Sequence, residues 1–238
     1  MLASRSFSTT SVFVLRIEDV ETFVQFLVQD LPRMKFSIKC SDTITRYFDN
    51  FGELKAYTNP ERAAIQQLRI RAVDDTGEQT AVFMFNSDTH SNVTLSLDGE
   101  VDLVTKLNQY WEDFVAGRRP WYSWICTASW GMIVYGGWLL LAIIAILIML
   151  AKTKAPIKWE WPKEGMPLEG WGKSFILGSI PALIVVAIER VKKTYFPTGT
   201  FAIGDGVNRH ANQETVRTVI IAGFVISIIT TVVLSWFI

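Results

Sequence analysis

The pattern of apolar and polar positions changes period along this chain, and each change marks an element. Residues 7 to 17, rich in Ser, Thr, Val and Phe, predict a first strand. Val20, Phe23, Val24, Leu27, Val28 and Leu31 then recur at helical spacing, with Glu18 and Asp19 at the positive end of the helix dipole and Pro32 as the stop. Met34, Phe36, Ile38 and Cys40 alternate with Lys35, Ser37 and Lys39, the period of a strand with one buried face. A less regular strand covers 43 to 48, and Asn50 with Glu53 three residues later forms a capping box for a short helix through Tyr57. Leu68, Ile70 and Ala72 alternate with Gln67, Arg69 and Arg71. Asp75-Thr76-Gly77 turns the chain into a strand at 79 to 86, and Val93, Leu95 and Leu97 alternate with Thr94, Ser96 and Asp98. A last amphipathic helix from Val101 to Val115 buries Val101, Val104, Leu107, Trp111 and Phe114 and ends at Gly117. The sum is an α+β head, a largely antiparallel sheet with helices on one face and a polar face left open.

After the head the alternation disappears. No charged side chain occurs from Trp121 until Lys152, and none from Thr218 to Ile238. An uncharged apolar run of roughly 18 residues or more is a transmembrane candidate, because about 20 helical residues cross the hydrocarbon core. The chain therefore divides into a head at 1–117 and a transmembrane domain at 118–238, with spans at about 129–151 and 218–238. A third candidate at 174–189 is short and carries Gly178 and Pro181, so two or three spans fit. Trp121, Tyr122, Trp124 and Trp130 suit the head-group layer, and Trp159, Trp161 and Trp171 the opposite interface. With three spans, Arg118, Arg119, Arg190, Lys192, Lys193, Arg209 and Arg217 face the five lysines of the 152–173 loop across the bilayer, a bias toward the head's side.

The formal net charge of zero hides an asymmetry: residues 1 to 120 hold about 13 Lys and Arg against 17 Asp and Glu. A net acidic head argues against indiscriminate coating of nucleic acid but leaves room for a local basic site. Residues 1 to 17 lack the pattern of a secretory signal, so the head is expected in the cytoplasm. Cys40 and Cys126 read as small buried hydrophobes, not as a disulfide framework.

Candidate chemistry is sparse. His90, in an apparent hairpin loop, and His210 have no metal-ligand spacing around them, and no phosphate-cradling glycine loop or nucleophile elbow occurs. No metal, no cofactor and no enzymatic activity are expected. Lys35 and Lys39 share one strand face, as do Arg69 and Arg71. If their strands are neighbours, the cations converge into a site for a phosphate-bearing ligand, or simply form a solvated face with partners such as Asp98. Gly204-Asp205-Gly206 is a turn signal, with Asp205 as a gate candidate if its side chains ring an oligomer. Gly223, Ser227, Thr231 and Ser235 recur every four residues in the last span, as helix-packing positions or as a pore lining. Both readings imply a homo-oligomer.

Two stretches, Arg118-Arg119-Pro120-Trp121-Tyr122 and Phe196 to Gly204, resemble those of small bacterial membrane proteins. The layout, a soluble head before two or three spans, is similar to membrane effectors of anti-phage defence, most of all to the membrane partner of Hailong-type systems. That resemblance implies a multi-pass protein of the bacterial inner membrane with a cytoplasmic head. It further implies that the head binds a single-stranded DNA oligomer made by a partner nucleotidyltransferase and that the bound oligomer holds an ion channel shut. The reading is therefore an oligomeric effector, a ligand-gated channel or pore whose head binds a nucleotide or single-stranded DNA signal. The alternative is a non-conducting scaffold whose head docks a cytosolic protein.

Overall fold

The computed structural model describes residues 2–87, 92–152 and 168–237. His90, Trp159 and Trp161 lie outside these. Seven strands and three helices occupy the amino-terminal half: β1 (Leu2–Thr9), β2 (Phe13–Arg16), α1 (Ile17–Leu27), β3 (Arg33–Cys40), β4 (Thr45–Phe48), α2 (Phe51–Lys55), β5 (Ile65–Val73), β6 (Thr80–Asn86), β7 (Val93–Glu100) and α3 (Val101–Ala116). Six of the strands form one antiparallel sheet in the order β1-β7-β6-β5-β3-β4.

One face of this sheet carries the core. Phe36, Ile38 and Cys40 of β3, Leu68, Ile70 and Ala72 of β5, and Phe83 and Phe85 of β6 are buried, as their alternation requires. Helices α1 and α3 cover them. Phe23 meets Phe83 edge to face at 4.7 Å, and Trp111 lies 5.0 Å from Phe85, so both helices dock on β6 through interlocking rings. Val101, expected in that core, is 38% exposed because it opens the first turn of α3. The side chain of Asn50 caps α2 by accepting from the Glu53 amide at 2.9 Å.

The strand expected over 7 to 17 is two strands. Between them Ser11 donates its amide to Asn92 Oδ1 (2.8 Å), while Asn92 Nδ2 donates to the Ser11 carbonyl (2.6 Å). This fully buried asparagine stands in for ladder hydrogen bonds at the break. Released from the main sheet, β2 pairs in parallel with β8 (Gly199–Ala202), residues the sequence places in a loop between spans.

That pairing redraws the division of the chain. One compact unit comprises Met1–Cys126 together with Tyr195–Ile238, and Thr127–Thr194 is the other. The boundary expected at 117/118 does not coincide with either limit, because β8 and the helix after it are built onto the head. The second unit holds α5 (Trp130–Lys152) and nearly all of α6 (Leu168–Tyr195); the short α4 (Ser123–Thr127) precedes them. The last helix, α7 (Gly206–Phe237), starts inside the head, and Gly206–Thr231 is long and apolar enough to cross a membrane. The corresponding apolar run in α5 is shorter, Trp130–Ala145, so of the two or three expected spans one helix meets the criterion of length and composition among the described residues.

Candidate functional site

The open face of the sheet is fixed by strand register. Lys35 of β3 stands directly opposite Arg71 of β5, Ser37 opposite Arg69, and Lys39 opposite Gln67. Since Phe36, Ile38, Leu68 and Ile70 point into the core, all four cations project from the opposite face, and all four are exposed. The two strands are neighbours, so the cluster inferred from alternation is physically assembled. Among the described residues none of the four forms an ion pair or a side-chain hydrogen bond. Asp98, the expected cross-strand partner, lies on β7 opposite Thr80 and Ser4, two strands from β5. Directly opposed like charges such as Lys35 and Arg71 destabilise a sheet unless an anion lies between them.

The same face holds an aromatic ring the sequence reading passed over. Tyr47 of β4 stands opposite Ser37 and is 79% exposed. Reading across the strands, Tyr47, Ser37, Arg69, Met84 and Thr94 make one row, flanked by Lys35 and Arg71 on one side and Lys39 on the other. Tyr47 and Arg69 are two strand spacings apart, about 10 Å. A groove of about 860 Å³ is lined by Lys35, Arg71, Asp49 and Phe51 together with Val24 and Val28 of α1, so it is not confined to the open face. Arg33 is committed to the turn, donating to the Asp74 carbonyl. The alternation in 43 to 48 was the available signal for Tyr47: Arg46 and Phe48 face inward, which sets Tyr47 outward.

The acidity of the head lies elsewhere. Helix α1 carries Glu18, Asp19 and Glu21, and α3 carries Asp102, Glu112 and Asp113 against Lys106. Acidic helices cover one face, while the open face carries the four cations with Asp98 at its β7 end, so the charge of the head is unevenly distributed.

A second cluster joins sheet to last helix. Asn59, fully buried at φ +52°, accepts from the Ile65 amide (2.9 Å) at the start of β5 and donates to the Ile203 carbonyl (2.9 Å), while Arg209 Nη1 donates to the Asn59 carbonyl (2.9 Å). The turn before α7 fits tightly against this loop. Gly204 has φ +52°, and a Cβ there would overlap the Thr58 carbonyl, so only glycine fits. One helical stretch further, Arg217 is 0% exposed; it donates to the Tyr195 carbonyl, to Glu214 (2.7 Å) and to Gln213 (3.1 Å), and its guanidinium lies 4.2 Å from the Tyr122 ring centroid. Desolvation raises the Tyr122 pKa above the ordinary phenol value. Counting Arg217 among the loop charges concealed this role, since burial of an arginine leaves no local periodic mark.

The remaining sequence candidates fall as follows. Asp205 is exposed at the start of α7, its amide bonded to the Thr58 carbonyl (2.8 Å). It sits on the head's own loop, roughly 20 Å of helix before Thr218. Gly223, Ser227 and Thr231 are exposed on α7, and Thr231 Oγ1 bonds back to the Ser227 carbonyl (2.8 Å). The side chain of Ser235 lies outside the described residues. Cys40 and Cys126 are buried, and Cys126 Sγ donates to the Phe196 carbonyl (3.2 Å). No protein-family model, curated protein or solved structure matches this chain, so the site is read from its own residues.

Proposed function

We propose that this chain is an oligomeric, multi-pass effector of a bacterial inner membrane acting in antiviral defence. In this reading it is a ligand-gated channel or pore, and its cytoplasmic head binds a nucleotide or a single-stranded DNA oligomer supplied by a partner nucleotidyltransferase. The observation that carries the reading is the open sheet face, where Lys35, Lys39, Arg69 and Arg71 stand unpaired around an exposed Tyr47. Cations spaced along a face suit successive phosphates, and an exposed ring suits an unstacked base, the combination used for single-stranded nucleic acid. Ser37 and Ser96 add hydroxyls for sugar and phosphate oxygens.

Transmission runs through bonded groups. Strand β5 carries Arg69 and Arg71 on its open face and donates its first amide to Asn59, which grips Ile203 and Arg209 at the root of α7. A ligand that shifts β5 against its neighbours therefore bears on the last helix, whose Gly223, Ser227, Thr231 and Ser235 stripe either packs against another copy or lines the conduction path.

Connectivity bears on the number of spans. The chain leaves the first unit at Cys126 and rejoins it at Tyr195. A segment that begins and ends on one side of a bilayer crosses it an even number of times. Since α7 leaves once more, the total is odd: α7 alone, or α5, α6 and α7 together, fit where two do not. Helix α6 has 28 residues, about 42 Å in all, of which the uncharged run at 174–188 covers about 22 Å.

Two measurements on detergent-purified protein test the reading together. Anisotropy with a labelled single-stranded oligodeoxynucleotide should show saturable binding that weakens when Arg69 and Arg71 are replaced by Gln. Planar-bilayer recording should show a conductance that the oligomer changes. Binding without any conductance, together with a monomeric particle, would favour the scaffold alternative.

A further inference from the structure

Where the head meets α7, two hollows adjoin at one side chain. The first, of about 380 Å³, is polar and is bounded by Arg16, Arg118, Arg119, Trp121, His210 and Glu214. The second, of about 410 Å³, is apolar and is bounded by Trp121, Thr218, Ile221, Ala222 and Ile226. Trp121 belongs to both. The α7 residues involved follow one stripe, since His210, Glu214, Thr218 and Ala222 are each four apart. Along the helix this stripe covers about 18 Å, passing from the last charged turn into the uncharged run.

Charge in the polar hollow is unbalanced toward the positive. Asp19 is already paired with Arg118 at 3.1 Å, and Arg118 also lies over the Phe114 ring at 4.0 Å. Glu214 is taken by Arg217 at 2.7 Å and by the Trp121 indole N–H. Arg16 and Arg119 remain exposed, without an ion pair among the described residues. The buried Nδ1 of His210 has no hydrogen-bond partner there either. Trp121 and Trp124 are half exposed or more, at 50% and 60%, the disposition of rings that sit among lipid head groups.

We infer that this compound groove is a binding site for one anionic phospholipid. Arg16 and Arg119 take the phosphate from two sides. The upper acyl chain lies along Trp121, Ile221, Ala222 and Ile226, whose apolar surfaces are otherwise open. A free phosphate would need the cations alone; the apolar continuation past Trp121 is what selects a lipid. The inference rests on α7 entering the bilayer, and it is independent of what binds the open sheet face.

Thermal unfolding of the full chain in neutral detergent tests it, with added phosphatidylglycerol, phosphatidylcholine or glycerol phosphate. Phosphatidylglycerol should raise the midpoint, and the other two should leave it in place. Replacing both Arg16 and Arg119 by Gln should weaken the apparent lipid affinity by roughly fivefold per arginine. Ala222→Trp should fill the apolar hollow and abolish the response with the head still folded, and Arg69→Gln should not change it. Equal stabilisation by phosphatidylcholine, or an unaltered response in the double-Gln variant, overturns the site. A full response to glycerol phosphate replaces it with a soluble-anion site. Purification from the soluble fraction without detergent sinks the membrane reading itself, a result separable from loss of anionic preference in a detergent-bound protein.

Discussion

Replacing Arg217 by Ala should be among the most damaging single changes in the head. The guanidinium is inaccessible to solvent and holds four residues at once: the Tyr195 carbonyl where the chain returns, Gln213 and Glu214 one turn earlier on α7, and the Tyr122 ring. Truncation leaves the part-buried Tyr195 carbonyl unpaired, costing about 1–3 kcal/mol, and removes a desolvated cation–π contact of about 2 kcal/mol. Glu214 recovers water because its side chain is 36% exposed, which keeps its share small. The sum, about 3–5 kcal/mol, matches the usual cost of removing one partner from a buried pair. Arg217→Lys keeps the charge but loses the planar fork and the stacking, so about half of that loss should remain. Denaturant unfolding of the full chain in detergent, followed by the fluorescence of Trp111 and Trp121, reads these values. A double variant, Arg217→Met with Glu214→Gln, should regain much of the stability because no charge is stranded. A loss below about 1 kcal/mol for Arg217→Ala would refute the assignment of this arginine as the clasp between α7 and the head.

Asn59→Ala should cost about 3 kcal/mol in the same assay, by leaving the Ile65 amide and the Ile203 carbonyl buried and unpaired. In bilayers it should separate oligomer binding from any change in conductance. Tyr47→Ala should weaken single-stranded oligonucleotide binding about tenfold without altering stability, with Tyr47→Phe near wild type, as measured by anisotropy. The binding constant should fall with salt at a log–log slope of about −3 for four phosphate contacts, flattening by about 0.7 for each cation replaced by Gln. Burial, followed by the Cys40 hydrogen bond, pushes Tyr57 up to about 12 from the ordinary phenol value of 10.0. An acid whose pKa is raised by folding contributes stability that is complete below the unfolded value and lost through the folded one. Unfolding midpoints should therefore decline between about pH 10 and 12, and Tyr57→Phe should flatten that decline.

Much of the head was legible because its strands pair with sequence neighbours. The alternation of Met34 to Cys40 and of Leu68 to Ala72 states both the buried face and the exposed cations, and hairpin connectivity then makes β5, β6 and β7 adjacent. Tyr47 was legible in principle, but four residues give a weak period, and its exposure is decided by Phe48 facing inward opposite Phe36. The break at Ser11 was not, because Asn92, the residue that satisfies it, lies 81 positions away.

The largest departure has the same cause on a greater scale. Strand β8 is four residues long, and its partner β2 lies more than 180 positions earlier, so no local pattern announces their pairing. Parallel pairing requires a crossover, and here the crossover contains the whole of the second unit. The segment from Phe196 to Gly204 looked like a connection because its apolar residues had no visible core to fill, yet Phe201 and Ile203 complete the head's own core beside Phe13. The tight glycines follow from that docking, since Gly204 and Gly206 sit where a Cβ would strike the Thr58 and Phe201 carbonyls. A linker that only joined two spans would need neither glycine there nor a buried asparagine opposite it. These residues make sense as the fixed root of α7 on the head.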